Sequence, residues 1–64
     1  MDPNVNLREQ NDLLGATARS DKRRRSELRQ ALQAWLSRGG FVPDWTVYPA
    51  ATKAYRAWVR HDLA

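Results

Sequence analysis

Cysteine is absent from this chain of 64 residues, and histidine occurs once. Without cysteine, the protein has no disulfide bond, no thiolate nucleophile and no cysteine-ligated metal. The single histidine, His61, supplies one ligand, whereas a zinc site needs several. The serines have no spacing that indicates a catalytic triad or a nucleophile elbow. We therefore expect a protein that is not an enzyme and that uses neither a metal nor another cofactor.

Long apolar runs are also missing. No run approaches the ~18 residues that a membrane-spanning helix needs. The first residues, MDPNVNLREQ, lack the basic start and the apolar core of a signal peptide. We expect no contact with a membrane and a cytoplasmic location, which the absence of cysteine also favours.

Glycine and proline are scarce, with three of each, and most of them stand where a helix would begin or end. Gly39 and Gly40 follow an apolar stripe with helical spacing, which consists of Leu28, Ala31, Leu32, Trp35 and Leu36. Because glycine adopts the left-handed conformation of a helix C-terminus without a Cβ penalty, this pattern predicts a helix that ends there. Pro3 and Pro49 suit the first turn of a helix, with Asp2 as the N-cap before Pro3.

These signals predict an all-α protein: a single small domain over residues 1–64, built as a bundle of two to three helices at about 4–18, 21–38 and 49–62. A chain of this length buries only about 60% of the surface that it exposes when unfolded, so homodimer formation would add useful stability. The side chains expected to form the core are Leu7, Leu13, Leu14, Leu28, Leu32, Trp35, Leu36, Phe41, Trp45, Tyr55, Trp58 and Val59.

The boundary between the first two helices stays open at this point. A single heptad phase is shared by Leu7, Leu14, Leu28 and Trp35. One long helix over about 5–38 is therefore an alternative, since no proline interrupts that range. We favour two helices joined near residues 17–21, and Ser20 and Asp21 are candidate N-caps for the second. Gly15 weakens the continuous run, and a hairpin would cover the apolar stripe.

Positive charge is concentrated in residues 19–29, which we call the basic segment. It holds six of the eleven basic residues against two acidic ones, so its net charge of +4 equals that of the whole chain. Clustered lysine and arginine attract phosphate groups or an acidic partner surface. Further cations share one face of the last helix. The residues expected to contact a partner are Arg19, Lys22, Arg23, Arg24, Arg25, Arg29, Lys53, Arg56 and Arg60.

The run from Trp35 to Trp45, WLSRGGFVPDW, resembles a segment of small uncharacterised proteins encoded by phages of actinobacteria. In those proteins a helix ends in W-L-x-x-G-G-F-x-P and a second tryptophan follows. The start of the chain, Asp2-Pro3-Asn4 with Leu7 shortly after, is similar to theirs. The resemblance covers residues 2–45 and implies a phage or prophage origin, and hence the cytoplasm of a host cell. It implies no activity.

Two functions remain open. The leading one is a small helical interaction protein that binds a protein partner or a second copy of itself, with exposed aromatic side chains as anchors. The alternative is salt-dependent nucleic-acid binding with weak sequence preference. A helix-turn-helix is disfavoured because the predicted connection between the second and last helices is about ten residues long. The basic face of the last helix also has no asparagine or glutamine to hydrogen-bond base edges.

Overall fold

Three α-helices make up most of residues 1–62, the part of the chain that a computed structural model describes. Helix α1 spans Pro3–Asp12, α2 spans Arg19–Ser37 and α3 spans Pro49–Asp62. Residues 1–62 contain no strand. The predicted all-α bundle is therefore confirmed, and residues 5–38 form two helices rather than one. None of the three helices combines the length and the apolar character that crossing a membrane requires.

Helix α1 begins as the sequence predicts but ends early. Asp2 Oδ1 accepts a hydrogen bond of 2.9 Å from the Asn4 backbone N–H, and Pro3 occupies the first helical position. The helix ends at Asp12, whereas the prediction placed its end near residue 18. The physical reason is Gly15, whose φ of 80° lies in the left-handed region and ends the helical path.

Helix α2 begins two residues before the predicted start. Its N-cap is Ala18, which is extended and makes no side-chain hydrogen bond, so neither of the candidate caps, Ser20 and Asp21, occupies that position. Asp21 instead lies in the first turn, where its carboxylate interacts favourably with the positive end of the helix dipole. Without a side-chain cap, this helix start is weaker than that of α1.

The C-terminus of α2 has the glycine cap that the sequence predicts. Gly39 has a φ of 85° and its N–H bonds to Leu36 O, while the Gly40 N–H bonds to Trp35 O. These two bonds form a Schellman motif, which satisfies carbonyl groups that the last helical turn would leave without partners. The chain then leaves the helix axis and enters the loop that leads to α3.

The helices α1 and α2 form an antiparallel hairpin. Hydrogen bonds join Asn6 to Leu28 and Leu13 to Arg25, so residue numbers rise along α1 as they fall along α2. Helix α3 packs against both of them. The α2–α3 loop, residues 38–48, therefore lies at the same end of the molecule as the first turn of α1. The α1–α2 turn lies at the opposite end.

The core is smaller and more polar than predicted. Its buried apolar side chains are Leu7, Leu28, Leu32, Ala51 and Tyr55. Of the other side chains expected there, most are half-buried, and the prediction for Phe41 is wrong because 59% of that residue is exposed. Asn6, Gln10 and Thr52 are buried although their polarity gave no indication of it. The core of this small domain thus contains polar side chains as well as apolar ones.

Candidate interaction surfaces

Two of the six cations in the basic segment join α2 to α1. Arg24 donates two hydrogen bonds to the Glu9 carboxylate, from Nε to Oε2 at 2.6 Å and from Nη2 to Oε1 at 3.1 Å. This pairing lowers the pKa of the Glu9 carboxyl group and raises the pKa of Arg24. Arg25 Nη1 donates to Leu13 O at 2.9 Å, which satisfies a carbonyl at the end of α1. Both arginines fasten α2 to α1.

Arg29 is a half-buried cation of the basic segment. Burial lowers its pKa, the charge of Arg25 lowers it further, and the carboxylate of Asp62 acts in the opposite direction. Its Nε is shielded from water and has no hydrogen-bond partner within residues 1–62. Arg29 is therefore less accessible to a large partner than the exposed cations of the basic segment, and its predicted role in a contact surface stays a prediction.

The remaining three cations of the basic segment are free to face a partner. Arg19, Lys22 and Arg23 are exposed in the first turns of α2. They lie beside the α1–α2 turn, at the positive end of the helix dipole, where their charges repel one another and the dipole. An anionic surface would relieve this repulsion.

The α2–α3 loop is fixed at several points. Trp35 Nε1 donates to Phe41 O at 2.9 Å, and the Asp44 N–H donates to Asn4 Oδ1 at 2.7 Å. Asp44 Oδ1 in turn accepts from the backbone N–H of Thr46 at 3.0 Å and from its hydroxyl group, which lowers the pKa of the Asp44 carboxyl group. The loop thus has a defined conformation against both α1 and α2.

The α2–α3 loop exposes large apolar side chains to solvent. Every exposed large apolar side chain of residues 1–62 belongs either to the loop or to the chain start beside it: Met1, Val5, Phe41, Val42 and Val47. We call these five residues the loop-end surface. Val5 and Val47 border one shallow groove there together with Tyr48. The indole of Trp35 meets the Phe41 ring edge to face, with 5.6 Å between their centroids. The loop-end surface was not predicted, because Phe41 was assigned to the core.

The predicted cations of the last helix line a second surface, which we call the α3 cleft. Lys53, Arg56 and Arg60 project along one side of α3 into a cleft of about 520 Å3 whose other wall includes Trp45. The guanidinium carbon of Arg56 lies 5.3 Å from the centroid of the Trp45 ring. The structure therefore brings these three predicted residues together. It adds an aromatic side chain that the sequence reasoning had placed in the core.

Trp45 is held in place by contacts with two residues of α3, Tyr55 and Thr52. Its ring stacks on Tyr55, with centroids 5.8 Å apart and an interplanar angle of 19°. The Thr52 hydroxyl donates to Trp45 O at 2.8 Å, which ties the backbone of the loop to α3. The Tyr55 ring is buried, and this burial raises the pKa of its hydroxyl group. The tryptophan is thus a rigid, half-exposed wall of the cleft.

The described part of the chain contains no group of three or more His, Cys, Asp or Glu side chains arranged to hold a metal ion. Comparisons with protein-family models, with curated proteins and with solved structures find no significant match. The features of the molecule that bear on function are the loop-end surface, the α3 cleft and the exposed cations of the basic segment.

Proposed function

We propose that this protein is a small helical interaction module that binds a protein partner through the loop-end surface. The observation that supports this proposal is the concentration of all five exposed large apolar side chains of residues 1–62 at one end of the molecule. Scattered apolar side chains are normal on a protein surface, whereas a cluster of them is typical of an interface.

The energetics of a small domain strengthen this argument. Burying one valine or phenylalanine side chain contributes about 1.5–3 kcal/mol, and a chain of this size has few such groups. Phe41 and Val42 remain 59% and 61% exposed even though the loop that carries them is hydrogen-bonded on both sides. A partner that covers them would recover the stabilisation that the isolated fold forgoes.

The loop is also suited to binding because it is already ordered. Association is opposed by the entropy of fixing loops and side chains at the interface, and a pre-formed loop reduces that loss. The Schellman motif at Gly39 and the bond from Asp44 to Asn4 set the direction of the loop before any partner arrives. Phe41 is the aromatic anchor in this proposal, since aromatic side chains dominate the binding energy of many interfaces.

Site-specific photo-crosslinking in cells that produce the protein tests the proposal. A photoreactive residue replaces Val42 in one variant and Val47 in another. Matched controls place it at Gln30 and Ala34, which are also exposed but lie on α2. We expect one discrete adduct from the loop positions that is absent from the α2 positions. An adduct of twice the protein mass would identify the partner as a second copy.

The opposite results would count against the proposal. Equal labelling from α2 and from the loop would indicate random encounters, and no adduct from either loop position would leave the loop-end surface without a partner. Competition before irradiation adds a control: an excess of the unmodified protein should suppress formation of the adduct, whereas an excess of Phe41→Ser should not if Phe41 anchors the contact. A phage or prophage origin remains a proposal that rests on the WLSRGGFVPDW segment alone.

Nucleic-acid binding by the basic segment is a second candidate, favoured by the three exposed cations at the start of α2. Because Arg24 and Arg25 are bonded to α1, we assign the contact to Arg19, Lys22 and Arg23. Replacing these three with glutamine should lower the salt dependence of DNA binding by about three phosphate equivalents on duplex DNA. An unchanged salt dependence would exclude this candidate.

A further inference from the structure

We propose that the α3 cleft binds single-stranded nucleic acid, with an unpaired base against Trp45 and successive phosphates on Lys53, Arg56 and Arg60. This surface is separate from the loop-end surface, so the inference goes beyond the proposed function and is tested independently of it. It also differs from the basic segment, since it lies on another helix and includes an aromatic side chain.

The charge of the cleft is of one sign. Its lining residues are Trp45, Thr46, Pro49, Thr52, Lys53, Arg56 and Arg60, with no carboxylate among them. Within residues 1–62 the ion pairs involve Arg24, and the three cations of the cleft have none. Their spacing of i, i+3 and i+7 puts them on one helix face, with about 10 Å between the first and the last Cα atom. A row of anions along a chain matches this arrangement better than a single anion does.

The position of Trp45 adds an aromatic contact to this charge. Trp45 and Arg56 border both the α3 cleft and an apolar groove of about 390 Å3 on their other side, where Leu36 and Val59 lie. A base that enters beside the indole therefore meets apolar side chains, while its phosphate stays near the cations. Arg56 already lies over the indole, and an arginine plane can itself stack on a base.

The same geometry favours an unpaired strand over a duplex. In a duplex both faces of each base are covered by its neighbours, so an indole recessed between a loop and a helix has no base face to contact. Basic grooves with aromatic side chains are typical of proteins that bind single strands without strong sequence preference. Trp45 is fixed by Tyr55 and Thr52, so little ordering is needed when a base stacks on it.

Two comparisons on the unmodified protein test the aromatic part of the proposal. The probes are a short oligothymidine, an abasic strand of equal length and charge, and a DNA duplex, each titrated at low and at physiological salt. Because base stacking on one aromatic side chain raises affinity by about 5- to 150-fold, oligothymidine should bind more tightly than the abasic strand by a factor in that range. It should also bind more tightly than the duplex.

Charge-matched variants test the location. One variant carries Lys53→Gln and Arg60→Gln, and the control variant carries Arg8→Gln and Arg38→Gln, which replace two exposed cations outside both the cleft and the basic segment. Both have the same net charge, since each loses two cations. We expect the first to lower the salt slope for oligothymidine by about 1.4, because each phosphate contact on a single strand contributes about 0.7. The control variant should retain the slope of the unmodified protein.

The conservative pair Trp45→Leu and Trp58→Leu completes the design, with helical circular dichroism as the check of folding. Trp45→Leu should abolish the difference between oligothymidine and the abasic strand, and Trp58→Leu should preserve it. The proposal is overturned if the unmodified protein binds the abasic strand or the duplex as tightly as oligothymidine. It is also overturned if both charge variants lose equal salt dependence. The comparison of strands uses the unmodified protein and so does not depend on how well any variant folds.

Discussion

Asn6 reaches across the hairpin and donates from Nδ2 to the backbone carbonyl of Leu28 at a distance of 3.0 Å, out of contact with water. Gln10 extends this bond, since its Nε2 donates to Asn6 Oδ1 at 2.7 Å. Only 7% of Asn6 and 2% of Gln10 are exposed. Two amide side chains one helical turn apart thus fix the position of α1 on α2.

Replacing one member of this pair should be more harmful than replacing both. Asn6→Ala leaves the buried Gln10 amide without its acceptor, and a buried polar group that loses its partner costs about 1–3 kcal/mol. We expect the free energy of unfolding, measured with urea, to fall by that amount. The double variant Asn6→Leu with Gln10→Leu removes both polar groups and should be closer to the unmodified protein than Asn6→Ala is. If the double variant is less stable than Asn6→Ala, the amide pair contributes stability beyond the mutual hydrogen bonding of its own polar groups.

Gly15 should not tolerate a side chain, although nothing lies near it. A Cβ added there would meet no atom within 4 Å, so any destabilisation must come from its φ of 80°. Gly15→Ala should lower the free energy of unfolding by about 1–2 kcal/mol, the typical penalty of the left-handed conformation for an L-residue. Gly15→Asn should be milder, because asparagine enters that region more easily. Stabilisation by Gly15→Ala would instead support the single long helix over 5–38.

The sequence predicts the helices well because their signals are local. Asp2 before Pro3, the pair Gly39-Gly40, and Pro49 each act within one turn, so they indicate starts and stops without knowledge of the rest of the fold. The end of α1 was predicted too late because Gly15 is compatible with either a helix or a left-handed turn. Arg25 of α2 donates a hydrogen bond to the Leu13 carbonyl at the end of α1. This bond depends on the packing of α2 against α1, so the sequence of α1 alone does not predict it.

The surfaces are harder to predict because exposure is a property of the whole fold. Phe41 follows a helix cap, where an apolar residue usually folds back onto the helix, and it does touch Trp35 yet stays mostly in water. Gln10 shows the reverse case. It lies on the same helical stripe as Leu7, but its polarity concealed that it is buried. The grouping of Lys53 with Arg56 and Arg60 was predictable from helical spacing, whereas their proximity to Trp45 required the loop.

Acid should weaken the protein partly through Glu9. Its pKa is below the ordinary value of 4.5, mainly because Arg24 hydrogen-bonds the carboxylate. A depressed folded-state pKa means that the contribution to stability is complete above the unfolded-state value and is lost as the pH falls through the folded-state value. Glu9→Gln should therefore be less stable than the unmodified protein at neutral pH, and this difference should disappear in acid. Thermal unfolding at neutral pH and below pH 4 measures it.

Arg24→Gln provides the matched control for this pH dependence. Without the guanidinium group the carboxyl group loses its main cause of perturbation, so adding Glu9→Gln in that background should leave the acid limb of the stability curve unchanged. Because the pair is exposed, added salt should also reduce the difference. An acid limb that is equally steep in all these variants would place the titration on other carboxyl groups.

Gly40 should be the most sensitive position of the helix cap, for a reason different from that of Gly39. A Cβ at Gly40 would overlap the indole of Trp35, which cannot retreat without losing its bond to Phe41 O. We expect Gly40→Ala to lower the free energy of unfolding by about 1–3 kcal/mol through overpacking.

Gly39→Ala is the matched control. It should lower the free energy of unfolding by about 1–2 kcal/mol because of its φ of 85°, since no atom lies within 4 Å of the added Cβ. In a Trp35→Ala background the Gly40→Ala penalty should largely vanish, whereas that of Gly39→Ala should persist. Urea unfolding of the three single variants and the two double variants measures both couplings. Because the indole also positions Phe41, Gly40→Ala should weaken crosslinking from Val42 at temperatures where the variant is still folded. Equal penalties in both backgrounds would mean that the indole does not exclude a side chain at Gly40.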